Sequence, residues 1–203
     1  HLTGDEAEAA LKAANLGHLA PIFYGGEQGL DLVVQEGGRS VVNPQAPIAQ
    51  EIVGYLKARE QYGERVTGRD LEQHFTGVGY GWDLEVLKLV LAVLLRAGAI
   101  EVTHQGRRFH NAQDPQCRTP LTSNPAFRNA GFAPREVIDL RMLTTAVRQY
   151  EELTGDEVDV EESAIAEALK RFAAGEAQRL APVQARLEAR ALPPNAVTVG
   201  SKW

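Results

Sequence analysis

The chain has 203 residues, of which 44% are hydrophobic, 24% charged and 6% aromatic, with a formal net charge of −6. That length supports one large core or two small ones, and the balance of apolar and charged residues excludes a disordered, collagen-like or disulfide-scaffold protein. The single cysteine, Cys117, has no bridging partner and no charged segment followed by an apolar one opens the chain, so a reducing, cytoplasmic setting is the expectation.

Residues 1–46 open with a helix candidate capped by Thr3, with Glu6 three residues on and Ala9, Ala10, Leu11 and Ala14 as helix formers. After Gly17 the pattern changes. Ile22-Phe23-Tyr24, Leu30-Asp31-Leu32-Val33-Val34 and Ser40-Val41-Val42 are β-rich runs separated by Gly25-Gly26, Gly29 and Gly37-Gly38. They predict a small β element of short strands, which needs a neighbouring surface to lie on.

Residues 47–110 carry the clearest pattern. Pro47 suits a first helical position, and Ile48, Ile52, Tyr55 and Leu56 recur at helical spacing up to Gly63. Glu64-Arg65-Val66 is a short extended piece, and Thr67 caps a second helix holding Leu71 and Phe75. The glycine turn Gly77-Val78-Gly79-Tyr80-Gly81 precedes a third helix from Trp82 to Ala97, which Gly98 stops. Ile100 to His104 and Arg107 to His110 then form a hairpin across Gln105-Gly106. Helix, strand, helix, turn, helix and hairpin in that order is the layout of a winged-helix domain.

Residues 111–133 accumulate proline, asparagine and serine and predict an irregular connector anchored by Phe127 and Phe132. A C-terminal helical segment follows over 134–192: one helix from Pro134 to Leu153, one from Val160 to Ala173 behind the capping pattern Asp159-Val160-Glu161-Glu162, and one from Glu176 to Arg190. Pro182 must kink that last helix or sit in its first turn. Residues 193–203, opening on Pro193-Pro194, predict a loose tail. The expected fold class is α+β, mostly α, with a winged-helix unit between a small N-terminal β element and a C-terminal helical segment.

Charge is uneven along this order. Between Val102 and Arg148, Arg107, Arg108, Arg118, Arg128, Arg135, Arg141 and Arg148 stand against Asp114, Glu136 and Asp139. From Gln149 to Lys170 the sign reverses, with Glu151, Glu152, Asp156, Glu157, Asp159, Glu161, Glu162 and Glu167 against Lys170. A polyanion would have to meet the arginine-bearing middle; the plain alternative is two solvated faces or pairing within the chain.

The third helix is the test of a DNA-binding reading. At 100° per residue, Glu85, Lys88, Ala92 and Arg96 form one polar or small stripe, while Val86, Leu89 and Val93 extend the apolar surface around the other side. A helix apolar over most of its circumference is covered over most of it, and the C-terminal helical segment is the expected cover. A groove reader presents Arg, Asn, Gln or Ser at its N-terminal end, where this helix has Asp83 and Glu85. Burial of Leu89 and Val93 would make the unit a structural spacer; exposure would mark Val86, Leu89 and Val93 as a partner interface. The wing is different: His104, Arg107, Arg108 and His110 bracket the hairpin turn and are candidates for contact with the duplex DNA backbone. The alternative for them is a hairpin tip neutralised by nearby carboxylates.

No catalytic residue is nominated. Gly77-x-Gly79-x-Gly81 follows a helix, meets Asp83 and reads as a turn, and no Gly-x-x-x-x-Gly-Lys-Ser/Thr occurs. The five histidines lack His-x-x-x-His spacing, Cys117 lacks a Cys-x-x-Cys partner, and the carboxylates over 156–162 lack the alternation of a calcium loop, so neither a metal nor a cofactor is expected in this chain. The longest apolar stretch, Val86 to Leu95, is broken by Lys88, so no membrane span is expected.

Tyr80-Gly81-Trp82 with the leucine-rich helix after it, Arg96-Ala97-Gly98-Ala99-Ile100-Glu101 with Gln105-Gly106-Arg107-Arg108-Phe109, Asn124-Pro125-Ala126-Phe127-Arg128 and Phe132-Ala133-Pro134-Arg135-Glu136 carry a resemblance. Together they resemble the region downstream of the ATPase core in the large P-loop proteins of bacteriophage-exclusion (BREX) systems, the BrxC/PglY type. The likeness covers residues 20–175 and rests on turns and anchors. It implies a bacterial parent protein that binds ATP through a P-loop lying elsewhere and works with other defence-system subunits on or around DNA. The start at His1 and the single methionine, Met142, agree with a piece of a longer polypeptide. The expectation is a non-catalytic fragment acting in protein–protein assembly, with DNA backbone contact through the wing. The alternative is a free-standing winged-helix transcriptional regulator with a C-terminal oligomerisation helix.

Overall fold

The computed structural model describes residues 5–189, so the cap expected at Thr3 and the tail over 193–203 lie outside the described residues. The chain is mixed α and β, mostly helical, with a two-stranded and a four-stranded sheet among the described residues. It divides into two units, one ending at Thr144 and the other beginning at Thr145.

α1 (Asp5–Lys12) buries Ala7, Ala10 and Leu11. Ile22-Phe23-Tyr24, expected as a strand, is a 3₁₀ turn over Pro21–Phe23, because Pro21 fixes φ and has no N–H to give a ladder. The turn drops Phe23 into the core, and the Tyr24 hydroxyl donates to Leu16 O at 2.6 Å and accepts from Leu19 N at 3.1 Å. The next run becomes a strand only at Val33, after Asp31 takes a left-handed conformation with φ 55°. β1 (Val33–Glu36) and β2 (Arg39–Val42) pair antiparallel with Glu36 opposite Arg39. Gly37 and Gly38, at φ 60° and 81°, supply the two positive φ values that a tight hairpin turn requires.

α2 (Pro47–Gln61) starts at its proline and buries Ala49, Ile52, Val53 and Leu56. β3 (Val66–Thr67) runs into α3 (Gly68–Phe75), whose first turn is a capping box: Thr67 Oγ1 accepts from Asp70 N, while the Asp70 carboxylate accepts from Thr67 Oγ1 at 2.6 Å and Thr67 N at 2.8 Å. Those two bonds, the side-chain one foremost, hold the Asp70 carboxyl below its ordinary range. α4 (Leu84–Arg96) is capped by Asp83, and β4 (Ile100–His104) and β5 (Arg107–Phe109) make the expected hairpin with Gln105 and Gly106 at positive φ.

The stretch over 111–133 is not an irregular connector. It holds a 3₁₀ turn (Pro115–Arg118), α5 (Thr119–Thr122) and α6 (Asn124–Asn129), and it enters β6 (Gly131–Pro134). β6 lies between β3 and β4, giving the order β3-β6-β4-β5 with Phe132 opposite both Val66 and Val102. The stretch over 47–110 therefore does not close its own sheet; β3 reaches the hairpin only through β6. Two close contacts bring this segment in. A Cβ on Gly68 would lie 2.0 Å from Phe127 O, so only glycine lets α6 approach α3. Arg128 Nε and its terminal nitrogen donate to Glu72 Oε2 and Oε1 at 2.6 and 2.7 Å, which holds the Glu72 carboxyl below its ordinary range.

Pro134 ends a strand, so the helix expected from it begins only at Leu140, as α7 (Leu140–Thr154). The two helices expected after it are one, α8 (Glu162–Ala189), which carries Pro182 inside it. Gly175 between them keeps a helical conformation, without the positive φ of a C-terminal stop, so the helix continues through.

The core is built around α4, in which every residue from Leu87 to Arg96 is buried. Leu89 and Val93 are 0% exposed and Val86 packs half-buried against the same core, so the proposed partner face of the third helix is interior. The cover over α4, expected from the C-terminal helices, comes from α1 and α5. The polar stripe of α4 is interior as well. Lys88 Nζ lies 2.8 Å from Asn124 Oδ1 and 2.6 Å from Glu85 Oε1, and an Arg96 terminal nitrogen donates to Ala10 O and Ala13 O, both at 2.8 Å. Arg96 thus satisfies carbonyls at the end of α1 that the helix itself leaves open.

Replacing Arg96 by methionine keeps an apolar stem but strips those carbonyls of their donor, so urea unfolding should show a loss of about 2 kcal/mol; a loss under about 0.5 kcal/mol would mean water replaces the guanidinium without cost. Asp70 and Glu72 both have lowered native pKa values, so their stabilisation is present above the ordinary carboxylate range and is lost as pH falls through the lowered values, below about pH 4. The acid limb of stability against pH should be shallower in Glu72→Gln than in the parent, and equal slopes would count against the Arg128 tie.

Candidate nucleic-acid interface

The β4–β5 hairpin places His104 opposite Arg107 and Thr103 opposite Arg108. Arg107 is clamped on its far side: a terminal nitrogen lies 2.6 Å from Asp114 Oδ2, another donates to Gln116 Oε1, and the guanidinium lies 5.7 Å from the Phe109 ring centre. Asp114 is in place because it also caps the 3₁₀ turn, accepting from Gln116 N at 2.9 Å. Glu101, one strand over, faces two of the other three candidates, with Oε1 3.7 Å from Arg108 Nε and Oε2 3.3 Å from His110 Nδ1. The hairpin therefore gathers Arg107, Arg108 and His110 around two carboxylates, and His104 sits half-buried beside them. The cations remain reachable, with the Arg107 and Arg108 side chains 52% and 71% exposed.

Other members of the arginine-bearing middle are engaged in the fold. Arg128 holds Glu72, and Arg135 donates to His110 O at 3.2 Å and Gly98 O at 3.3 Å, tying the chain after β6 to the hairpin. Pairing within the chain thus accounts for much of the positive stretch. α4 offers no reading edge: the side chain of its cap, Asp83, accepts from Glu85 N, Glu85 holds Lys88, and the residues from Leu87 to Arg96 are interior.

A second cluster was not anticipated. The turn from Gly77 to Gly81 folds Trp82 back so that its N–H donates to Phe75 O at 2.8 Å and its ring stacks on Phe75 with centroids 4.7 Å apart. His74 stacks on Tyr55 at 4.3 Å, Arg59 lies 5.1 Å from the Tyr55 ring centre, and the Tyr80 hydroxyl donates to Glu51 at 2.8 Å. Beside this cluster lies an open cleft of about 630 Å³, lined among others by Tyr55, Arg59, Arg65, Asp70 and His74. Its signal in sequence is the i, i+4 pair Tyr55 and Arg59 together with aromatic residues on both sides of a glycine turn. Arg59 is balanced by Glu64 at 2.6 Å, and Asp70 is held in its capping box, so the cleft mixes charge signs.

No group of three or more His, Cys, Asp or Glu that could hold a metal occurs among the described residues, and no described helix is long and apolar enough to cross a membrane. Cys117 is 0% exposed, and burial pushes its thiol up to about 11. A maleimide or disulfide reagent at neutral pH should therefore modify the native chain far more slowly than the urea-unfolded chain; equal rates would place the thiol at the surface. No family model, no curated protein and no solved structure matches the chain.

Proposed function

We propose that this chain is a non-catalytic assembly module, a winged-helix-type unit within a P-loop ATPase of the phage-defence class that its motifs resemble. Other subunits of the defence system dock on it in the bacterial cytoplasm, and ATP is bound by a P-loop outside this stretch. The observation that carries the reading is the enclosure of α4. The helix that a winged-helix regulator lays in the major groove is buried from Leu87 to Arg96, so the unit serves as a rigid spacer whose surfaces, not its third helix, meet partners. The free-standing regulator needs that helix polar and open, and the burial of Leu89 and Val93 weighs against it.

DNA contact, where it occurs, falls to the wing. Arg107 and Arg108 can exchange Asp114 and Glu101 for phosphate oxygens, because exposed ion pairs hold them by only about 1 kcal/mol or less. Such contact is non-specific, since it reads no base edge.

The native reading frame tests the ATPase assignment directly: a Walker A motif in frame with this stretch supports it, and a frame without one removes it. For the wing, titration of a mixed-sequence duplex at low salt should show weak binding that Arg107→Glu with Arg108→Glu lowers about tenfold. Unchanged affinity in that double variant would sink the wing contact and leave assembly alone.

A further inference from the structure

The distal part of α8 carries an apolar face that the described residues leave uncovered. Its first turns are held by Ile165 and Ala168, both buried, and Phe172 meets Tyr150 of α7 edge-on with centroids 6.5 Å apart. From Phe172 to Leu187 no side chain is buried, yet the large apolar residues keep to one side. Leu169, Leu180, Val183 and Leu187 fall within about 60° of one another at the helical 100° per residue. Leu169 and Val183 are 47% and 49% exposed. With Ala173 and Glu176 these positions recur at alternating spacings of four and three, the seven-residue repeat of a helix that lies along another helix. Pro182 lies on the far side of the helix, about 140° from the centre of the face, where its missing N–H and its bulk do not disturb a neighbour.

We propose that this face pairs with the same face of a second copy of the chain, the two α8 helices running antiparallel about a two-fold axis near Gln178. A solitary helix of this length, about 42 Å, gains little from propensity alone and is stabilised by a packed apolar face. Glu176, in the middle of that face, selects both the occupant and the direction. A parallel pair sets Glu176 in one layer with the partner's Glu176, two carboxylates in contact. The antiparallel pair sets it against the partner's Leu180 and beside the partner's Arg179. Arg179 flanks the face and already holds Glu176 of its own helix at 2.5 Å, so two glutamates and two arginines alternate around the axis in charge balance. The same register layers Leu169 on the partner's Leu187 and Ala173 on the partner's Val183, which makes the contact self-complementary as two-fold symmetry requires. An unrelated apolar groove would bury Glu176 without that second arginine.

Sedimentation velocity of the full chain over a wide concentration range tests this. The parent chain should show a reversible monomer–dimer equilibrium, and Val183→Glu, at a half-exposed position, should weaken the dimer at least tenfold while leaving the far-ultraviolet circular dichroism and the urea midpoint of the monomer unchanged. Arg179→Glu should weaken it as well, and Glu176→Arg combined with Arg179→Glu should restore it. A parent chain that is monomeric throughout overturns the proposal, and so does a dimer indifferent to Val183→Glu. A dimer that tolerates Arg179→Glu overturns the antiparallel register.

Discussion

Arg96 on the carbonyls of α1 is the contact on which the rest of the first unit depends. α4 is apolar around most of its surface, and its one polar stripe holds Lys88 and Arg96, two cations that cannot be buried without partners. Each finds them on elements far away in sequence: Ala10 and Ala13 at the end of α1 for Arg96, Asn124 at the start of α6 for Lys88. Satisfying the stripe therefore draws in both α1 and the α5–α6 segment. Once α6 is there, Phe127 and Arg128 lock it to α3, and β6 follows directly into the gap between β3 and β4. The enclosure of one helix thus organises helices and sheet together, and it removes that helix from any partner.

The same logic governs the charges. Read in a line, the arginines after Val102 form a basic stretch; in space Arg107 meets Asp114, Arg108 meets Glu101, Arg128 meets Glu72 and Arg135 meets backbone carbonyls. Arginine suits this work because one guanidinium can hold a carboxylate by two parallel bonds, as Arg128 does, or span two carbonyls, as Arg96 and Arg135 do. The local positive excess is in large part structural reinforcement. On the hairpin, what remains available to an outside anion is the exposed fraction of Arg107 and Arg108.

Elements with strong local signals were legible in the sequence: Pro47 opens α2, Thr67 caps α3, and Gln105-Gly106 turns the hairpin. What was not legible depended on distant partners. Gly131-Phe132-Ala133-Pro134 has almost none of the branched residues that mark a strand, and it is one because β3 and β4 present open edges to it. The stripe of Glu85, Lys88 and Arg96 reads as solvent-facing in projection, since helical periodicity reports polarity and not whether a counter-group waits across the interface. The cluster around Tyr55 and His74 was missed for a related reason, as its members come from two helices and a turn and no one of them stands out alone. Of the wing, the residues were legible and their carboxylate partners only partly so, because Asp114 reaches Arg107 through the fold of the segment after β5.

The wing and α8 would act through different forces, and that difference links them. Two arginines exchanging carboxylates for phosphates gain little, and releasing about two counterions makes the contact weak and strongly dependent on salt. An apolar helix seam is nearly indifferent to salt apart from its Glu176–Arg179 network. On this proposal, raising the ionic strength would dissociate the wing from DNA while the helix pair persisted. At low ionic strength the proposed pair would bring two wings into one particle, so that a second contact on a duplex would become intramolecular, with an effective concentration in the millimolar range where geometry permits both. A contact too weak to matter in one copy would gain weight in two, which would make α8, and not the buried third helix, the element that decides whether the wing is of use.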